Sequence, residues 1–211
     1  PIGVGLGSSA AFAAAVARAL AELTGDESPI DDAVAAGEDV FHGKASGIDQ
    51  TAALSGELFF YFKSDARERA IIEAPSFTIA ICEAGPAAST SEMVGSVATL
   101  MDREPGLIEY VHMLVGDIAR RASEALESGD WAHVGELMDM NHGALCTLGV
   151  STAELDAACH VARDAGALGA KLTGAGGGGC VFALTPSGGD DVLDAWDREG
   201  WNCFSDRKSV V

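Results

Sequence analysis

Three stretches of the chain combine small residues, hydroxyls and charged groups in patterns suited to handling phosphate. The first is Gly5-Leu6-Gly7-Ser8-Ser9-Ala10-Ala11, which runs straight into an apolar segment. Consecutive small residues leave backbone N–H groups uncovered, and a following helix adds the positive end of its dipole, so the stretch can cradle a polyphosphate. Ser8 and Ser9 add hydroxyls able to reach a phosphate or a metal. The same residues would equally make a tight turn before a buried helix. No G-x-x-x-x-G-K-[ST] occurs, so this is not a Walker loop. The second stretch is Gly37-Glu38 with His42-Gly43-Lys44-Ala45-Ser46-Gly47-Ile48-Asp49. Two carboxylates, a lysine and a serine close in sequence suit phosphoryl transfer, one carboxylate holding Mg²⁺ and the other taking a hydroxyl proton. A solvated helix end followed by an Asx-type turn is the plainer alternative. The third is Lys171-Leu172-Thr173 followed by Gly174-Ala175-Gly176-Gly177-Gly178-Gly179-Cys180. It contains G-x-G-x-x-G, but a strand-like run follows the glycines where a dinucleotide site needs a helix. Such a glycine cluster is costly in backbone entropy, so chain or ligand must approach closely there, unless it is simply a flexible hairpin loop.

The elements that must position these stretches follow from periodicity and punctuation. Ala10 to Leu23 is alanine-rich and apolar nearly all round, which predicts a buried helix ending at Gly25. Pro29 with Asp31 and Asp32 opens a second helix running to about Phe41. His42 to Asp49 reads as a polar loop, and Leu58–Phe62 and Phe77–Cys82 as strands. After Gly85-Pro86 the pattern turns helical over 91–102, 106–128, 130–146 and 152–165, with Ser151 and Glu154 as a capping box for the last of these. Cys180–Leu184 reads as a strand, Asp190–Glu199 as a helix and Asn202–Ser205 as a short final strand. Strands and helices mix without the regular alternation of a parallel sheet, so the class is α+β, with a domain boundary near residue 85 giving domains 1–85 and 86–211.

Composition narrows the partners. The formal charge of −19 argues against nucleic acid and against docking on anionic lipid, both of which need clustered Lys and Arg. The acid is spread along the chain, as in an ordinary acidic cytoplasmic protein or a salt-adapted one. No apolar run of about 18 residues is present to span a membrane, and no signal peptide is visible. The five cysteines are widely spaced with no C-x-x-C pair, and the histidines show no H-x-x-x-H spacing. Small buried thiols in a reducing cytoplasm and structural histidines are the expectation.

Taken in order, the three stretches resemble the superfamily of galactokinase, homoserine kinase, mevalonate kinase and phosphomevalonate kinase. Gly5-Leu6-Gly7-Ser8-Ser9-Ala10-Ala11 is similar to its phosphate loop, and Gly174 to Gly179 to its C-terminal glycine motif. Gly37-Glu38 with His42-Gly43-x-x-Ser46-Gly47-Ile48-Asp49 is similar to the mevalonate kinases in particular. So are Asp139-Met140-Asn141-His142, Leu148-Gly149-Val150-Ser151 and Lys171-Leu172-Thr173-Gly174. The resemblance implies a two-domain fold, with an N-terminal part like domain 2 of ribosomal protein S5 and a ferredoxin-like C-terminal part. It implies ATP bound at Gly5, Leu6, Gly7, Ser8, Ser9 and Ala10, Mg²⁺ held by Ser9 and Glu38, and Asp49 as catalytic base. Ser46, Thr90, Gly174, Ala175 and Gly176 would lie near the substrate or its phosphate. The implied reaction moves the ATP γ-phosphate to mevalonate for isoprenoid synthesis, in an enzyme that can pair into a homodimer.

The chain departs from the family pattern in places. The family's first motif, with its lysine, would fall before Pro1, so the chain reads as lacking its natural start. Gln50 stands where many relatives have asparagine, Ser91 where a basic residue is usual, and Gly56-Glu57 in place of a Gly-Gly pair. A sister kinase acting on phosphomevalonate, homoserine or galactose, and a non-catalytic or split-subunit relative, remain the rival readings.

Overall fold

The computed structural model describes residues 6–25, 30–42, 47–62 and 69–208, with only the backbone of 38–42, 69 and 208. The chain packs into two compact units that divide between Ile72 and Glu73. This falls earlier than the boundary expected near residue 85, because the strand Phe77–Glu83 pairs entirely within the second unit.

In the first unit, α1 (Ser8–Thr24) starts at Gly7 and stops at Gly25, both left-handed as helix-flanking glycines allow. α2 (Ile30–His42) carries Asp31 and Asp32 in its first turn, where the helix dipole favours acid. α3 (Ile48–Ser55) then occupies part of the segment that reads as a loop in sequence. The helices are tied by side chains: Arg18 donates to the Leu54 carbonyl at 2.9 Å and Gln50 Nε2 to the Asp31 carbonyl at 2.8 Å. A short antiparallel hairpin, β1 (Phe59–Tyr61) with β2 (Arg69–Ile71), completes the unit. The expectation that α1 is buried all round does not hold. Ala10 and Ala14 are buried, but Phe12, Val16, Leu20 and Leu23 are exposed. α2 and α3 pack against α1, and no described residue covers that outer stripe.

The second unit is built on an antiparallel sheet ordered β4-β5-β3-β6, from β3 (Phe77–Glu83), β4 (Ala170–Leu172), β5 (Cys180–Leu184) and β6 (Asn202–Lys208). Its helices are α4 (Thr90–Arg103), α5 (Pro105–Ser128), α6 (Trp131–Thr147), α7 (Ala153–Asp164) and α8 (Asp190–Arg198). Strand alternation sends side chains to opposite faces. Ala80 and Cys82 of β3 join Val181 and Ala183 of β5 against Leu155, Cys159 and Trp196 of α7 and α8. Phe77 and Ile79 join Leu184 against Ile118, Val134 and Leu137 of α5 and α6. Trp196 is fully buried, and its indole N–H donates to the Ala158 carbonyl at 2.9 Å. The mixed α+β class read from sequence is the one observed.

Two local details differ from the sequence reading. Thr152, not Ser151, caps α7, accepting from the Leu155 N–H at 3.3 Å. The Ser151 hydroxyl instead donates to the Asp156 carboxylate at 2.5 Å, a charge-assisted bond stronger than a cap. The cysteines carry no disulfide; Cys82, Cys159 and Cys180 are buried as expected, whereas Cys146 is exposed. No described helix is long and apolar enough to cross a membrane.

Candidate active site

The first phosphate-type stretch and the second meet in the first unit. Gly7 adopts φ +66° immediately before α1, which places Ser8 and Ser9 in the first turn, at the positive end of the helix dipole. Asp49 is in the first turn of α3, behind Gly47 at φ 85°. Its carboxylate reaches the start of α1, since a methyl on Gly7 would lie 3.4 Å from Asp49 Oδ1. The positive end of one helix thus lies near the carboxylate of another, and Ser9 is in the first turn of that first helix. These hard oxygen donors suit Mg²⁺ rather than a soft metal. Glu38 lies in the last turns of α2, and its side chain, like Gly5 and Ser46 as a whole, lies outside the described residues.

In the second unit the glycine motif is held by the chain itself. The Gly177 N–H donates to the Val150 carbonyl at 2.8 Å, and the Gly179 N–H to the Gly85 carbonyl at 3.1 Å. The Ala88 N–H donates to the Gly177 carbonyl at 3.2 Å. A Cβ on Gly176 would run into the Val150 carbonyl, and one on Gly178 into that of Pro86. The expected close approach is therefore real, and main chain makes it. The contacted segment, Gly85 to Ala88, leads directly into α4, whose N-cap Ser89 accepts from the Glu92 N–H and whose first residue is Thr90. Thr90 and the Gly174–Gly179 loop are thereby neighbours in one unit.

The structure also shows a polar cluster behind this loop whose residues the sequence reading left without roles. Asp139 and His142 sit on α6, Arg163 and Asp156 on α7, and Lys171 on β4. Arg163 Nε donates to Asp139 Oδ1 at 2.7 Å, and His142 Nε2 lies 3.1 Å from Asp156 Oδ1. The available signal was that Asp139, His142 and Lys171 fall in stretches similar to the mevalonate kinases. His142 and Cys146, one helical turn apart, join Asp156 with ligand atoms within 4.8 Å of one another, a spacing that could hold a metal. The hydrogen bonding favours a proton-sharing cluster instead. The Leu172 N–H points at His142 Nδ1 from 3.4 Å, which keeps the ring proton on Nε2 for Asp156. Burial pushes His142 below the ordinary histidine value, against the pull of Asp156. The Ser151 hydroxyl, foremost, holds the Asp156 carboxyl below the usual range. A neutral ring donating to a carboxylate is thus the resting arrangement, rather than an ion pair.

With these geometries in place the comparisons with known proteins become informative. Residues 1–57 match the family model for the GHMP kinase N-terminal domain, and residues 122–203 the model for the GHMP kinase C-terminal region. A mevalonate kinase of Methanothermobacter thermautotrophicus is 37% identical over 213 aligned positions, covering all of this chain and 69% of that protein. The chain belongs to the mevalonate kinase family of GHMP kinases. A mevalonate kinase of Pyrococcus abyssi is 38% identical over 203 residues, and this chain, matched over 92% of its length, spans 60% of that relative. The crystal structure of L. major mevalonate kinase in complex with R-mevalonate superposes with a TM-score of 0.87 at 29% identity, covering 96% of this chain and 65% of that one. Within that family the matched N-terminal region contains α1, Asp49 and their contact, and the C-terminal one contains Asp139, His142 and the glycine loop.

Proposed function

We propose that the protein transfers the γ-phosphate of ATP to the 5-hydroxyl of mevalonate, giving 5-phosphomevalonate and ADP for isoprenoid synthesis. The observation that carries this reading is the Asp49 carboxylate lying against Gly7 at the positive end of α1. Asp49 takes the proton of the attacking hydroxyl, whose oxygen forms the new P–O bond as the bond to ADP breaks. The backbone N–H groups from Gly7 to Ala10 orient the polyphosphate. Ser9 and Glu38 are the side chains that would hold Mg²⁺, which when bound neutralises charge on the β- and γ-phosphate oxygens. Thr90 and Gly174, Ala175 and Gly176 are assigned to the phosphate end of the reaction, as in the family resemblance. A chain of net charge −19 repels a nucleotide at long range, so local N–H groups and the metal must dominate its binding. A helix dipole alone contributes only about 1 kcal/mol.

The test is ADP release by the full-length protein with Mg-ATP and a panel of mevalonate, phosphomevalonate, homoserine and galactose. Turnover with mevalonate alone is the expected result. Measurable ATP binding without turnover on any acceptor would overturn the proposal in favour of a non-catalytic role.

A further inference from the structure

Among the described residues β4 lies at the edge of its sheet, with β5 on one side and no strand on the other. An edge strand leaves every second residue's N–H and C=O unpaired. Gly169 and Thr173 bond to β5, through the Leu184 N–H to the Gly169 carbonyl at 2.9 Å and the Thr173 N–H to the Cys180 carbonyl at 3.0 Å. Ala170 and Leu172 therefore face outward, and side chains take all four of their backbone groups. The Ala170 N–H donates to Asp139 Oδ1 at 2.9 Å, and the Ala170 carbonyl accepts from Arg163 at 2.8 Å. The Leu172 N–H donates to His142 Nδ1 at 3.4 Å, and the Leu172 carbonyl accepts from Lys171 Nζ at 2.7 Å. Asp139 and Arg163 are also bonded to each other, which fixes the pair as a unit.

We infer that Asp139, His142 and Arg163 form a side-chain clamp that, with Lys171 closing the Leu172 carbonyl from within β4, replaces a fifth strand on β4 and sets the position of the glycine loop that follows it. They are positioning residues; none is placed in contact with substrate. Thr173 is the only residue between the clamped strand and Gly174, so a shift of β4 passes directly into the loop. The loop needs such an anchor because its glycines have no side chains to pack and large backbone freedom to lose. The bearing on catalysis rests on the kinase reading above; the bearing on loop position does not.

The clamp also has a protonation state in which it works. His142 accepts through Nδ1 only while the ring is neutral, and a second proton would set two N–H groups against each other. The charged and titratable groups around the ring are Asp156, Arg163 and Cys159 on α7, Lys171 on β4, and Asp139 and Cys146 on its own helix. Arg163 and Lys171 oppose the second proton and Asp156 favours it, with burial deciding for the neutral ring.

Hydrogen exchange of the 172–182 segment tests the clamp in the full-length protein, with α5 as internal reference and steady-state kinetics alongside. His142→Leu removes the acceptor while keeping bulk. It should speed exchange in the loop about tenfold or more, leave α5 unchanged, and lower kcat/KM by a similar factor. His142→Asn keeps an acceptor for the Leu172 N–H and cannot titrate. It should restore protection and abolish the loss of protection expected of the native protein on acidification. Loop exchange unchanged in a folded His142→Leu protein would overturn the clamp, as would equal acceleration in α5, which would mean general destabilisation. Should His142→Leu fail to fold, His142→Asn decides: a pH response of the loop identical to that of the native protein overturns the inference. If the native protein turns over no acceptor yet its loop responds to these substitutions, the clamp stands and the kinase reading falls. If turnover is normal and the loop does not respond, the reverse holds.

Discussion

The two glycine-rich stretches of this chain use the same residue for different physical reasons. At the start of α1, Gly7 has room for a side chain, since an added methyl would meet Asp49 only at ordinary contact distance. What it supplies there is a left-handed φ of 66°, which turns the chain into the helix. In the Gly174–Gly179 loop, a methyl on Gly176 or Gly178 would occupy the space of a carbonyl from another segment. There the glycines permit main chain to pack on main chain. One stretch therefore uses glycine for its backbone conformation alone. The other is filled by the protein, with its exposed purpose set by what holds it.

That contrast can be broken by substitution. The largest expected effect is at the first stretch: Asp49→Ala should lower turnover by about 10²–10⁴-fold while nucleotide binding survives, measured by ADP release and nucleotide titration. Near-native turnover would remove the functional half of the comparison. Gly178→Ala should destabilise the protein by roughly 3 kcal/mol, combining steric overlap with strain at its φ of 115°, read as a lower denaturation midpoint. Gly7→Ala should cost only about 1 kcal/mol, the penalty of a left-handed φ without a clash. Equal losses at Gly7 and Gly178 would show that the distinction drawn here is false.

The smallest effect expected is on pH dependence, and it concerns His142, which holds the strand leading into the Gly174–Gly179 loop. Burial lowers the pKa of His142 in the folded state, so the folded protein takes up this proton less readily than the unfolded chain. The contribution is fully present above the unfolded histidine value of about 6.5 and is lost as pH falls through the lower folded value. Melting curves recorded from neutral to acid pH should show a decline that His142→Asn reduces. No difference between the two proteins would mean that the ring does not support the fold in its neutral form.

Sequence reasoning worked best where a single residue forces a local outcome. Gly25 ends α1 because its backbone preference acts without help from neighbours. It failed where the elements are short or where two groups compete. α3 has eight residues and follows a glycine rather than a capping side chain, so neither periodicity nor punctuation announces it. β2 spans three residues and exists through its pairing with β1. Ser151 and Thr152 could each cap α7, and the choice fell to Thr152 once Asp156 had drawn the Ser151 hydroxyl away.

The sequence by itself determined the order of the three phosphate-type stretches, the α+β class and the residues with the right chemistry, because residue type and spacing are local properties. Only the tertiary structure decided that Asp49 meets the start of α1, and that Val150 and Pro86 fill the space beside the glycine loop. It also decided that Asp139, Arg163, His142 and Lys171 would close the free edge of β4. Apart from the Lys171–Leu172 and Arg163–Ala170 bonds, these are pairings between residues far apart in the chain, set by which backbone groups the sheet leaves unbonded and which side chains the packing brings within reach.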